Sequence, residues 1–416
     1  MKPALPEGWE ELGVGRLLDF KNGLNKAKRY FGHGTPIVNF MDVLENPGLR
    51  RHHIGGHVEV SPEEARSYSA RQGDVFFTRT SETIEEVGLS AVLLDSIPQA
   101  VFSGFVLRGR PRNDRLVDEF KEYCFRTAAV RKQIISKGTY TTRALTNGRA
   151  LSSVLLLVPP KSEQRTISNS LGDVDALLLR LRGLLAKKRD VRQAVAQELL
   201  SGQTRLPGFH RPWEQSSVGA ISRIRGGNGF PVRLQGNQHG TYPFFKVSDM
   251  NHRGNETFMK HSNNWIDEST RSRIKAYAFP ARTIVLAKVG AAVFLERKRI
   301  LVTASCIDNN MAGLMVDGSQ ASERFVHYFL EQTRLGDFVS ATALPALNGA
   351  ELGAVPVSYP RELDEQAAIV EVLSDMDSDL DMLYRRISKT ADIRQAIEQE
   401  LLTGRTQLLG KEQPHE

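Results

Sequence analysis

The sequence predicts an α+β fold: two tandem α/β domains separated by two long helices that pair with each other as an antiparallel coiled coil. Three observations predict it. Residues 163–206 align without a gap on residues 365–408 at a constant offset of 202, with 20 of 44 positions identical, so the chain is a tandem duplication. Apolar residues in each copy recur at alternating spacings of four and three, which is a coiled-coil seam. Upstream of each copy, short apolar runs bounded by glycine, proline and asparagine read as strands.

In chain order, residues 1–160 form the first domain. Its strand candidates are Asp74–Thr78, Ser90–Leu94, Ala100–Leu107 and Val154–Val158, with a helix near Leu116–Ser136. Residues 161–206 form the first long helix. Ser162 is its candidate N-cap, Gly202 sits where a C′ glycine belongs, and the seam runs Ile167, Leu171, Val174, Leu178, Leu181 and Leu185. Residues 207–362 form the second domain, with strand candidates Thr241–Val247, Thr283–Ala287 and Val355–Tyr359 and a helix near Glu323–Val339. Residues 363–409 form the second long helix, with Asp364 as N-cap, Gly404 as C′ and the seam Ile369, Leu373, Met376, Leu380, Leu383 and Ile387. A short flexible tail over 410–416 is expected. The duplication extends upstream: Pro6-Glu7-Gly8-Trp9-Glu10 echoes Arg211-Pro212-Trp213-Glu214, and Asn147-Gly148 echoes Asn348-Gly349.

With 416 residues, the chain exceeds what one core supports. Cys124 and Cys306 are the only cysteines, too few for a disulfide framework, and a reducing cytoplasmic setting is expected. No stretch approaches the ~20 apolar residues a membrane span needs. The net charge of +7 hints at a polyanionic partner. The first helix block carries 9 basic and 5 acidic residues and the last block, from 363 onward, 6 and 12, so the two helices are suited to lie against each other.

Catalytic patterns are lacking. Val158-Pro159-Pro160-Lys161 has neither the polar first residue nor the aromatic last one of an adenine methyltransferase loop, and no phosphate-binding glycine loop is present. Glu296-Arg297-Lys298 and Glu119-Phe120-Lys121 have the Glu-x-Lys spacing of metal-dependent nucleases, without a persuasive upstream Pro-Asp. His52, His53 and His57 read as a solvated loop, and the cysteines as buried thiols. The sequence predicts no catalytic residue, no metal and no cofactor in this chain.

What remains is a binding logic. Two related modules joined by rigid helices suit duplex DNA, whose half-sites repeat about every 34–36 Å. Polar and basic loops supply the candidate contacts. In the first domain these are Lys21, Asn22, Lys26, Lys28, Arg29, Arg79, Thr80, Ser81, Lys137, Thr139, Tyr140 and Arg143. In the second they are Arg225, Asn228, Arg233, Lys246, Ser248, Arg253, Lys288 and Thr342. Competing readings are a DNA-acting enzyme using Glu296 and Lys298, and a helical scaffold that binds protein only.

The opening Leu5-Pro6-Glu7-Gly8-Trp9, the Pro159-Pro160 leading into Glu163-Gln164, the Glu-Leu-Leu-(Ser/Thr)-Gly-x-Thr endings and Gly73-Asp74-Val75-Phe76-Phe77-Thr78-Arg79 carry a family resemblance. Over nearly its whole length the chain resembles specificity subunits of type I restriction–modification systems. The resemblance implies two target recognition domains that read an asymmetric bipartite site in double-stranded DNA, with the helices as a ruler between them. It also implies docking of two modification (methyltransferase) subunits and recruitment of restriction (ATP-dependent translocase/endonuclease) subunits. S-adenosylmethionine, ATP and Mg²⁺ would then belong to those partners. The second copy departs from the pattern: Pro280-Ala281-Arg282-Thr283 stands where the first has Gly73-Asp74.

Overall fold

The computed structural model describes residues 5–140, 143–339 and 345–407, which leaves the candidate Thr342 and the 410–416 tail outside the described residues. The chain forms two compact units. One comprises Met1–Arg182 with Arg385–Glu416, and the other Gly183–Tyr384.

In the first unit, β1 (Leu18–Asn22), β2 (Gly48–Leu49), β3 (Val75–Thr78), β4 (Ser90–Leu93) and β5 (Val106–Pro111) form one sheet in the order β1-β5-β3-β4-β2. β5 runs antiparallel to both β1 and β3, and β2 lies parallel to β4. Every residue of β3 and β4 is buried, which explains why these strands read as continuous apolar runs and not as alternating ones. A smaller sheet pairs Phe31–Val38 with His57–Val58 and Val101–Phe102.

Two expectations are corrected here. The strand foreseen over Ala100–Leu107 is two strands in two sheets, broken at Ser103-Gly104-Phe105. The Gly104 amide donates to the Leu24 carbonyl at 2.7 Å, and a Cβ at Gly104 would meet Asn25 Oδ1 at 1.9 Å and the Leu24 carbonyl at 3.2 Å, so a larger residue there would displace the Asn25 side chain. The helix foreseen over Leu116–Ser136 is also divided, into Asp118–Cys124 and Ala128–Lys137. Phe125 drops into the core, and Thr127 restarts the helix by accepting a hydrogen bond from the Val130 amide.

The second unit repeats this plan. β6 (Ser222–Gly226), β7 (Phe258–Met259), β8 (Ile284–Ala287), β9 (Lys298–Leu301) and β10 (Met311–Val316) are ordered β6-β10-β8-β9-β7, the same topology strand for strand. The smaller sheet holds Tyr242–Phe245, Trp265–Ile266 and Cys306–Ile307. Arg282 occupies the left-handed backbone position (φ +70°) that Gly73 occupies in the first unit (φ +84°). A side chain there costs about 1–2 kcal/mol. The Arg282 guanidinium offsets part of that through a bidentate pair with Glu323 at 2.7 and 2.6 Å. The departure seen in the sequence therefore leaves the turn intact.

The long helices are α1 (Lys161–Ser201) and α2 (Leu363–Leu402), of 41 and 40 residues. Both start before the proposed caps: Ser162 and Asp364 lie inside the first turn. Buried glutamines from the repeated Glu-Gln pair anchor the starts instead. Gln164 accepts from the Val117 amide at 2.9 Å and donates to the Arg115 and Pro159 carbonyls, both at 2.8 Å. Gln366 accepts from the Ser322 amide at 2.7 Å and donates to the Gln320 and Pro360 carbonyls at 3.2 and 2.8 Å. Each glutamine thus satisfies a backbone donor and ties the helix start to the helix packed beside it. Replacing either by alanine is expected to cost about 2 kcal/mol, because a buried amide and two carbonyls lose their partners. Chemical denaturation of the purified chain measures it.

The helix ends behave as expected. Gly202 and Gly404 are left-handed at φ +72° and +70°. In the first unit the Trp9 indole donates to Glu163, near the start of α1, at 3.0 Å, and its ring lies against Gly404, just past the end of α2. In the second unit Trp213 donates to Glu365, near the start of α2, at 3.2 Å, and packs on Gly202, just past the end of α1. Each tryptophan therefore joins the start of one long helix to the end of the other. Leu401 and Leu402 accordingly sit in the core of the first unit, and Leu199 and Leu200 in that of the second.

Candidate nucleic-acid interface and helix pair

The helices pair antiparallel, and charged residues outside the seam hold the register. In the first unit Arg394 on α2 pairs with Asp175 on α1 at 2.7 Å, and the Tyr123 hydroxyl donates to the same carboxylate at 3.3 Å. In the second unit Arg192 on α1 pairs with Asp377 on α2 at 2.8 Å, and the Tyr328 hydroxyl donates to it at 2.8 Å. Asp175 and Asp377, like Arg192 and Arg394, are related by the repeat offset, so one Tyr–Asp–Arg set was duplicated. Burial pushes the Tyr328 hydroxyl up to about 12, which keeps it a donor across the neutral range. Lys188 adds a pair with Asp379 at 2.7 Å.

Of the seam positions, Ile167 and Leu171 belong to the core of the first unit, and Ile369 and Leu373 to that of the second. Leu178, Leu181, Leu185 and Leu383 are buried, while Val174, Met376, Leu380 and Ile387 are half-buried. The first two seam residues of each helix thus pack on their own domain.

In the first unit the candidate loops converge at one end of the main sheet. The Arg79 amide donates to the Phe105 carbonyl at 2.9 Å, and the Arg79 carbonyl accepts from Thr146 at 3.0 Å. Thr80–Ser81 pairs with Ala144–Leu145, which pairs with Thr139–Tyr140. The second unit repeats the junction: the Lys288 amide donates to the Asn310 carbonyl at 2.8 Å, and its carbonyl accepts from Leu347 at 2.8 Å. Lys288 is therefore the counterpart of Arg79, and Asn310 that of Phe105. Asn39 and Lys246 likewise open matching turns, capped by Asp42 and Asp249 at 2.8 and 2.7 Å, which makes Ser248 the counterpart of Met41. The glycine-bearing loops after β1 and β6 correspond too, as do the short turns that hold Lys28–Tyr30 and Val232–Leu234.

Not every candidate side chain is free. Lys21 donates to Ser67 at 2.7 and 2.8 Å, and Lys26 to the Glu59 carbonyl at 2.7 Å and the Glu64 carboxylate at 2.6 Å. Ser81 is buried against Glu86. Asn228 braces Lys275 and Tyr277, and Lys246 donates to Gln235 at 2.9 Å. Arg79 is half-buried, reaching the Gly104 carbonyl at 3.3 Å, and Lys137 reaches the Ser153 carbonyl at 3.3 Å. Arg29 leans on Tyr30 and Arg225 on Tyr277, with both guanidinium groups exposed. Asn22, Lys28, Thr139, Tyr140, Arg143, Arg233, Ser248 and Arg253 are exposed, and Thr80 and Lys288 half-buried. Sequence reasoning missed Met41, Phe105 and Asn310; only the positions of the strand ends reveal them.

The nuclease-like triplets have structural uses. Lys298 is buried against Glu296 and donates to the Thr333 carbonyl at 3.0 Å, while Glu296 accepts from the amides of Leu335 and Gly336 at 3.1 and 2.8 Å. Lys121 is buried and bonded to Asp118 and the Gly73 carbonyl at 2.6 and 3.1 Å. His53 accepts from the Arg50 amide at 3.1 Å in an exposed loop. Burial pushes the Cys306 thiol up to about 12 and raises that of Cys124 as well. Among the described residues no group of histidines, cysteines and carboxylates could hold a metal, and no helix is long and apolar enough to cross a membrane.

Comparison with known proteins places this geometry. Residues 210–390 match the family model of the type I restriction modification DNA specificity domain. The chain is 24% identical over 198 residues to the specificity subunit of the type I restriction enzyme EcoKI from Escherichia coli (strain K12), a match spanning 45% of this chain and 41% of that protein. The S subunit of a type I restriction–modification system from M. genitalium has the same fold, with a TM-score of 0.56 at 15% identity over 97% of this chain and 98% of that one. So has the HsdS subunit from Thermoanaerobacter tengcongensis, at 0.52 and 18% over 97% and 99%. A chain from a structure of type I restriction–modification complex assembly aligns at 0.59 and 16% over 97% and 100%.

Proposed function

We propose, from the match of residues 210–390 to the type I specificity domain and from the fold shared with S subunits over 97% of the chain, that the chain is the sequence-reading component of a type I restriction–modification complex. Each unit reads one half of an asymmetric bipartite target in double-stranded DNA. The paired helices set the spacing and, with the adjoining segments, dock two modification subunits. Restriction subunits join that assembly, which acts in the cytoplasm. The chain itself is non-catalytic, with S-adenosylmethionine, ATP and Mg²⁺ bound by partners.

The observation that carries this reading is the pair of equivalent strand-end loop clusters, alike in backbone and different in side chains. Like scaffolds with unlike contact surfaces suit two different half-sites. Glu296 and Lys298 are occupied by each other and by backbone groups, and Lys121 by Asp118 and the Gly73 carbonyl, which removes the support for a nuclease site at either triplet. The test is methylation-site mapping in a host that expresses the chain with its modification subunit. A single asymmetric two-part motif is expected, and methylation without a fixed spacer would overturn the reading.

Arg143 and Arg79 give a sharper expectation. An arginine that reads guanine contributes about 1–3 kcal/mol of discrimination, so Arg143→Ala should relax one position of one half-site. Arg79→Ala should behave similarly, with a further small loss from its bond to Gly104. A uniform loss across all duplexes in a binding titration would assign the residue to phosphate instead.

A further inference from the structure

The exposed apolar side chains at the reading end of the first unit have a specific use. Met41 is 50% exposed and Phe105 60%, and both line a cavity of about 460 Å³ whose other walls include Thr80, Glu82 and Arg143. Single exposed apolar residues are ordinary, but two large ones rimming one cavity beside an arginine mark a contact surface. The Phe105 backbone is fixed by the Arg79 amide and by the glycine turn before it, so the ring is presented from a set position. The matching positions of the second unit carry Ser248 and Asn310, both exposed and both polar.

We infer that Phe105, assisted by Met41, is a specificity-determining residue that reads the 5-methyl group of a thymine in the first half-site, while Asn310 reads a base by hydrogen bonds in the second. The inference rests on the DNA-reading function proposed above. Thymine alone among the four bases presents an apolar methyl in the major groove, and phenylalanine is among the side chains that meet it. An asparagine at the same scaffold point is fitted to the N6 and N7 edge of adenine. Arg79 and Arg143 beside Phe105 supply donors for the phosphate backbone that a purely apolar protein contact would not need. Glu82 and Glu86 also line the cavity and balance the two arginines, so discrimination comes from the apolar pair and not from net charge; Glu86 in addition accepts a hydrogen bond from Ser81.

The experiment uses the complex assembled with its modification subunit. Once methylation mapping has given the motif, competition binding compares that duplex with versions in which each thymine of the first half-site is replaced in turn by uracil, which lacks only the methyl. One replacement should weaken the wild-type complex about fourfold, the worth of one buried methyl-sized group. Phe105→Ala should bind the thymine and uracil duplexes equally, Phe105→Met should keep most of the difference, and the second half-site should be unaffected in both. A wild-type complex that reads a bipartite motif yet is insensitive to every uracil replacement, or whose first half-site has no thymine, overturns the inference alone. So does an alanine variant that keeps the full difference. A wild-type complex with no bipartite motif would instead remove the DNA-reading function itself.

Discussion

Inserting four residues after Arg182 and four after Tyr384 is expected to lengthen the spacer of the methylated motif by one or two base pairs while leaving both half-sites unchanged. Four residues add ~6 Å of helix and turn the seam by ~400°, close to a full turn, whereas base pairs rise ~3.4 Å. Both helices must be lengthened. The pairs Asp175–Arg394 in the first unit and Arg192–Asp377 in the second each join α1 to α2, so an insertion into α1 alone forces one of them out of register. The single insertion should therefore lose assembly with the modification subunit, and a paired insertion of two residues, which rotates each seam by ~200°, should do the same. Methylation mapping and size-exclusion chromatography of the complex read the outcomes. An active paired variant with its original spacer would show that the helices do not set the distance.

The placement of that experiment shows what the sequence could and could not reveal. The helices and their pairing were legible because a 4–3 apolar spacing repeated at a fixed offset is a property of residues close in the chain. The aspartates and arginines of the Tyr–Asp–Arg sets were present among the repeat's identities and the tyrosines outside it, yet the partner of Asp175 is Arg394, and no local pattern joins them. Strand positions were legible from apolar runs, but the break at Ser103-Gly104-Phe105 was not, since it is fixed by backbone hydrogen bonds to Leu24 and Val38, far away in the chain. Basic loops were legible as a class. Which of their side chains are free depended on tertiary neighbours: Lys26 is claimed by Glu64, while Arg143 stands at the cavity rim. Met41 and Phe105 were not legible as contacts, because an apolar residue in the sequence signals burial and only the fold leaves these two exposed.

Removing the Arg205 guanidinium should destabilise the second unit by about 3–4 kcal/mol. Glu365 is 1% exposed and is held by Arg205 through two bonds of 2.6 and 2.7 Å, with Trp213 donating a third at 3.2 Å. Truncating one partner of such a pair leaves a charge in low dielectric, which costs about 3–5 kcal/mol when burial is complete, and Arg205 is 24% exposed. The replacement Arg205→Met with Glu365→Gln should cost less than Arg205→Ala alone, because no bare carboxylate then remains. The first unit supplies the converse. Glu163 receives the Trp9 indole on one oxygen, while its buried Oε1 has no partner among the described residues, and Gln407 stands at the repeat position of Arg205. Gln407→Arg should therefore raise stability by about 1 kcal/mol, the net worth of a charge-assisted bond after the cost of ordering the side chain. Thermal denaturation of the full chain compares the variants, with a shift of about 2–4 °C expected per kcal/mol for a unit of this size. A melting temperature unchanged by Arg205→Ala would show that Trp213 and water suffice for the Glu365 carboxylate and that the arginine pair contributes nothing to the junction.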